Sequence, residues 1–173
     1  SLVLFFVWRN REPIGRIGWS FRCCWRDAGL GLLLFVPMFF AAGLVDQIAQ
    51  GAGLSPGPKS LPAVLRPNGA GELVLASFMV VVVALAEETI FRGYLILRFA
   101  EVTKSGAAAV LLSSLIFSLG HGYEGSAGVV TVGFMGLVFA LVYVWRKSLV
   151  APIVMHFMQD FLGIVALPAL GVR

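Results

Sequence analysis

Three short patterns hold nearly all the ionisable side chains that fall inside apolar stretches of this chain: Glu87-Glu88-Thr-Ile-Phe-Arg92, Phe117-Ser-Leu-Gly-His121 and His156-Phe-Met-Gln-Asp160. Both histidines of the sequence belong to them. On a helix, Glu88 and Arg92 are four residues apart and share a face, in the Glu-before-Arg order that pairs better. Glu87 points about 100° around the helix from Glu88. Arg92 therefore neutralises Glu88 and leaves Glu87 to face a polar cavity. His156 and Asp160 are also four apart and share a face.

A glutamate, two histidines and a fourth polar group converging from three helices can hydrolyse an amide. The glutamate takes a proton from water, provided its surroundings tune it for that task, and a histidine helps hold the water. The second histidine and its helical neighbour donate hydrogen bonds to the developing oxyanion. A divalent metal such as zinc, held by Glu87, His121 and His156, is the other chemical solution. Structural roles stand beside these. Glu88–Arg92 also reads as a plain ion pair, His121 as a helix-end histidine bonding a carbonyl, and His156–Asp160 as an interhelical hydrogen-bonding pair.

The elements that must position these groups are membrane-spanning helices. Of 173 residues, 59% are hydrophobic and 13% charged, where a soluble domain has about a quarter charged. The mean hydropathy is +0.92. The apolar residues fall in blocks of about 15–22, the length a helix needs to cross a hydrocarbon core of roughly 30 Å. The blocks run over about 28–49 (with Pro37 as a kink), 72–99, 106–120, 127–145 and 149–170. An opening run, Ser1 to Trp8, reads as the end of a helix whose start is missing. The expectation is an all-α, polytopic transmembrane bundle with about five full spans plus a partial N-terminal one. Residues 1–71 form an N-terminal transmembrane region with a basic connector and a Gly/Pro loop, and 72–170 form a four-helix core carrying all three patterns. Ionisable groups in such spans are costly, so each needs a partner or a function.

Charge sets the orientation. The net charge of +4 comes from loop arginines that fix topology and meet anionic headgroups, and without interleaved aromatics it does not indicate nucleic acid. Arg9, Arg11, Arg16, Arg22 and Arg26 crowd the 9–27 connector, Arg98 and Lys104 flank the next connection on that side, and Arg146-Lys147 mark the third. The alternate connections hold only Lys59 and Arg66. The arginine-rich side is therefore cytoplasmic, and the site is expected to open within the bilayer toward it. Counted from the basic flanks, His121 lies about 10 Å deeper than Glu87 on straight helices, so tilt or a lower-starting span must bring them level. Cys23-Cys24, at the edge of a span, read as small interfacial residues, with acylation as an alternative.

At these residues the chain resembles the CAAX-prenyl-protease and bacteriocin-processing (CPBP) family. That family's motifs are two glutamates, three residues and arginine; phenylalanine, three residues and histidine; and histidine, three residues and asparagine or aspartate. All three occur here in order, each on its own expected span, across about 72–170. The resemblance implies that Glu87 and His121 activate water while His156 and Asp160 stabilise the oxyanion. It also implies an intramembrane endopeptidase, in the family often labelled a metalloprotease, acting on peptide or protein substrates in or at the bilayer. Some members trim prenylated CAAX proteins and many bacterial members serve bacteriocin maturation or immunity. A multi-pass protein of a bacterial plasma membrane is expected. Aspartate at 160 departs from the asparagine form, because an ionised carboxylate only accepts hydrogen bonds.

Two other functions use the same residue types. A proton-coupled transporter also places carboxylates and histidines in spans, although no inverted repeat is visible. A catalytically silent scaffold or immunity protein would keep the residues as structure. Glu87→Ala separates the three classes.

Overall fold

The structure is a computed structural model describing residues 2–20, 24–57 and 69–170; Cys23, Arg22, Lys59 and Arg66 lie outside the described residues. These residues fold as helices joined by turns, with no strand among them. Helix α1 is Leu2–Arg9, α2 Cys24–Gly51, α3 Ala70–Thr103, α4 Gly106–Leu119, α5 Gly125–Arg146 and α6 Val150–Ala169. Four of them (α2, α3, α6, and α5 with the preceding turn) are long and apolar enough to cross a membrane. The fifth expected span, α4, has 14 residues, about 21 Å of helix, and crosses only part of the hydrocarbon core.

Helix ends follow local chemistry. α3 stops at Lys104, which takes the left-handed conformation (φ 56°), and the Ser105 hydroxyl caps α4 by accepting from Ala108 N at 3.2 Å. The expected connector at 101–105 thus shrinks to two residues. α2 begins at Cys24, inside the expected connector, because Asp27 is buried and paired with Arg146 at 2.8 Å. Within α3 and α6 the ladder widens to π turns, Thr89–Leu95 and Phe161–Ala166. Each begins one residue after a motif carboxylate, Glu88 or Asp160, and such turns recur at functional sites.

α2 packs along α5 and α6, α3 along α6, and α4 along both α3 and α5. Gly31 marks where α2 meets α6: a Cβ there would stand 2.7 Å from Ala151 O. Backbones come this close only at small residues. Two apolar clusters lie between the helices. One joins Phe35 and Met38 to Val142 and Met155, and the other joins Ile96 and Val110 to Tyr143 and Leu149.

The connector before α2 closes that end. Ile17 and Val7 are fully buried, and Gly18, at φ 83°, offers its carbonyl to Leu149 N at 3.0 Å. Glu12 is held by Arg98 and by Arg16 at 3.0 Å, and the hydrogen bond from Arg98 keeps its carboxyl below the usual carboxylate range. A Cβ on Gly93 would meet Ile17 O at 2.6 Å. Gly93→Val is accordingly expected to push the connector off α3 and cost about 1–3 kcal/mol, read as a lower thermal midpoint in detergent.

Candidate active site

α3, α4 and α6 bring the three sequence patterns to one place. The expected 10 Å mismatch in depth does not arise, because α3 continues past Arg98 and shares the Lys104-Ser105 turn with α4. Glu87 stands sixteen residues before Thr103 and His121 fifteen after Gly106, about 24 Å and 22 Å along their helices.

Glu88 is the buried centre. Its side chain is 0% exposed, and Oε1 accepts from Arg92 Nη1 at 2.7 Å and from His156 Nδ1 at 2.8 Å. Sequence spacing pairs Glu88 with Arg92; the bond to His156, which lies 68 residues away in the chain, is visible only in the fold. Arg92 also donates to Gly136 O at 3.2 Å and lies between the rings of Phe117 (4.2 Å) and Phe139 (5.1 Å). Stacking on two aromatic faces suits a planar guanidinium and would not suit a lysine.

Phe139 stacks on His156 as well, at 5.6 Å and 20°. No motif includes Phe139 or Gly136, so sequence reasoning missed both. A signal existed in their spacing of three on α5, which puts them on one helical face. The glycine is required by contact, since a Cβ at 136 would come within 2.9 Å of Phe117 Cδ1.

The phenylalanine of the second pattern has two jobs. α4 ends so that the His121 amide bonds Ser118 O at 3.0 Å. The Phe117 carbonyl, one of the helix-end acceptors that need a partner, takes the His121 ring instead, with Nδ1 at 2.8 Å. A carbonyl only accepts, so Nδ1 carries the proton and Nε2 is left as the acceptor. The Phe117 ring packs on the imidazole at 4.7 Å.

Glu87 takes a different position from its neighbour. Its side chain is 29% exposed and lines a cavity of about 1290 Å³ together with His121, His156 and Asp160. Its Oε2 has no hydrogen-bond partner and stands 3.8 Å from His156 Nε2. Asp160 Oδ2 lies 3.5 Å from the same nitrogen, so His156 has carboxylates at both ring nitrogens.

Among the described residues, no three His, Cys, Asp or Glu side chains are set to close on one metal ion. Both histidines commit Nδ1 to hydrogen bonds and leave Nε2 over, as a ligating histidine also does; it is the spacing of the carboxylates and rings that does not converge on one ion.

The cavity runs away from the arginine-rich end. Its walls come from the far halves of the helices: Phe40 and Asp46 on α2, Val83 on α3, Thr131 on α5, Gly163 on α6. On the other side of Glu88, Ile96, Val110, Tyr143 and Leu149 pack together, while the cluster of Phe35, Met38 and Met155 extends to the cavity wall at Phe139. At the far end, Ser55 N donates to Ser126 Oγ at 2.8 Å and Ala127 N to Ser55 O at 2.9 Å. These bonds strap the segment after α2 onto the start of α5.

Comparison with known proteins agrees with the geometry. Residues 69–162 match the family described as type II CAAX prenyl endopeptidase, Rce1-like. The chain is also 30% identical over 142 residues to the membrane-embedded CAAX protease MroQ of Staphylococcus aureus (strain USA300), a match covering 79% of this chain and 54% of that protein. The chain thus spans about half the length of that curated relative. No solved structure matches it.

Proposed function

This chain belongs to the Rce1-like type II CAAX prenyl endopeptidase family, and from that membership we propose that it is an intramembrane endopeptidase working through glutamate-activated water. The observation that carries the reading is the division of labour between adjacent glutamates. Glu88 is fully buried with Oε1 shared between Arg92 and His156, while the Glu87 side chain lines the cavity and is 29% exposed.

In this mechanism a water sits between Glu87 and the free Nε2 of His121. Glu87 takes its proton as the oxygen attacks the carbonyl carbon, and later delivers that proton to the leaving amine. His156 is positioned through Nδ1 by Glu88 and directs Nε2–H at the developing oxyanion. Asp160 flanks that nitrogen and supplies counter-charge to the imidazolium. The substrate is a peptide in or at the membrane.

Purified protein in detergent is expected to cleave a membrane-protein library equally with and without chelator. Loss of cleavage that returns on adding zinc would replace the bare-glutamate mechanism with a metal one. Asp160 supplies a second test. Asparagine keeps the shape and adds a donor, so Asp160→Asn is expected to retain kcat within about tenfold. Asp160→Leu, which removes both charge and hydrogen bonding, is expected to lose about a hundredfold, in the range of one oxyanion contact.

A transporter or a silent scaffold has less support. A silent scaffold would leave unexplained why the partly exposed carboxylate and both histidines share one cavity, and a transporter would not account for the match to an endopeptidase family.

A further inference from the structure

An oxyanion is held by preorganised donors aimed at the point where its charge develops. In this site the His156 Nε2–H is contested, with Asp160 Oδ2 at 3.5 Å and Glu87 Oε2 at 3.8 Å. Asp160, when ionised, only accepts. The Arg92 guanidinium is spent on Glu88 and on Gly136 O. What the chemistry needs beside His156 is a neutral donor that no carboxylate already holds.

Few side chains of the cavity wall qualify. Thr131 donates to Ala127 O at 3.1 Å, Gln50 to Asp46 at 2.7 Å and the His121 ring to Phe117 O at 2.8 Å. Tyr123 is bonded to Glu124. Gln47 is too far along its helix. α2 and α6 run the same way from their contact at Gly31 and Ala151. Gln47 follows that contact by sixteen residues and Gln159 by eight, so Gln47 lies about 12 Å beyond Gln159.

Gln159 is left. It stands three residues after His156 on α6 and directly before Asp160. Around the helix it lies about 60° to one side of His156 and Asp160 about 40° to the other, so an amide and a carboxylate flank the ring. Gln159 lines the same cavity as Glu87 and His121. Its Oε1 is buried without a hydrogen-bond partner, so the accessible end of the amide is Nε2, which no acceptor holds among the described residues. Gly163 lines the cavity one turn further on, and a Cβ there would meet nothing within 4 Å. A peptide therefore has room beside the amide.

Resting on the endopeptidase reading, we propose that Gln159 is a further catalytic residue, whose Nε2–H donates to the scissile carbonyl oxygen alongside His156 Nε2–H. As water adds to the carbonyl carbon, the C=O π pair moves onto oxygen and the two N–H groups hold its charge. The pair returns when the C–N bond breaks and the amine leaves with the proton carried by Glu87. No bond to Gln159 forms or breaks, and Asp160 serves as counter-charge to His156.

Gln159→Met keeps the side-chain length and removes the amide. Kinetics are read in detergent on whichever probe the wild type cuts, a single-span fluorogenic peptide or a farnesylated peptide. The variant is expected to lower kcat by about a hundredfold, the loss that follows removal of one oxyanion donor. KM is expected to stay within about threefold, because the contact tightens only in the transition state. Its thermal midpoint is expected at or above that of wild type, since a buried oxygen without a partner gives way to an apolar group. Asp160→Asn places an amide donor on the other side of His156. Added to Gln159→Met, it is expected to restore kcat by about tenfold or more, part of one donor's contribution.

An unchanged kcat in Gln159→Met, or a raised KM with kcat kept, would overturn the assignment and leave the endopeptidase in place. A fall in thermal midpoint that accompanies the loss of activity, with no rescue by Asp160→Asn, would assign Gln159 to the fold instead. If folded wild-type protein cuts neither probe, the endopeptidase reading fails and this inference fails with it.

Discussion

Glu87→Gln is expected to lower kcat by about 10²–10⁴-fold, the contribution of a positioned general base, while the protein unfolds at nearly the wild-type temperature. Both halves follow from the same geometry. Glutamine has the shape of glutamate but takes up no proton at neutral pH, so the water is left unactivated. The fold does not depend on this carboxylate, because Oε2 has no hydrogen-bond partner and the side chain is partly open to the cavity. The assay is turnover of a cleaved substrate by purified variant, with thermal unfolding of the same sample as control. Activity within tenfold of wild type would remove Glu87 from the chemistry.

Arg92→Met is expected to act the other way, on stability first. Arg92 is 1% exposed, and its partner Glu88 is 0% exposed. Removing one member of a buried pair leaves an uncompensated charge and costs about 3–5 kcal/mol. The stacked position between Phe117 and Phe139 would be vacated as well. Thermal unfolding in detergent should show a large loss, and much of the protein should fail to accumulate. A double variant separates structure from function. Glu88→Leu with Arg92→Met removes both charges, and apolar replacements of buried pairs are often neutral or stabilising. That variant is expected to recover the folded state but not activity, since His156 Nδ1 has lost its acceptor. Recovered activity would show that Glu88 does not position the histidine.

The contrast between these adjacent glutamates was legible in the sequence, because the 100° offset and the Glu88–Arg92 spacing are properties of any helix. Membrane helices and their order were legible too, since block length and composition decide them. So was the extent of α4, expected over about 106–120 and found over Gly106–Leu119; what was misread is its reach, because 14 residues fall short of the roughly 20 a full span needs.

The direction of the cavity was hidden for a different reason. Loop charges give the orientation of the helices, but which half of the bundle is filled depends on packing between residues far apart, such as Ile17 on Gly93 and Gly18 on Leu149. The same holds for Phe139, whose contacts with Arg92 and His156 come from three separate helices. Depth was misjudged because basic residues stood in for helix ends; Arg98 lies inside α3, held there by Glu12 and Glu101.

The central claim is that this chain hydrolyses a peptide bond with water activated at Glu87. Mass spectrometry of products formed by purified protein in water enriched with heavy oxygen tests it most directly. The expected result is one heavy oxygen in the new carboxylate, formed equally with chelator present and absent from the Glu87→Gln reaction. Products that form as readily with Glu87→Gln, or a folded wild-type protein that cuts none of the membrane peptides offered, would contradict the account.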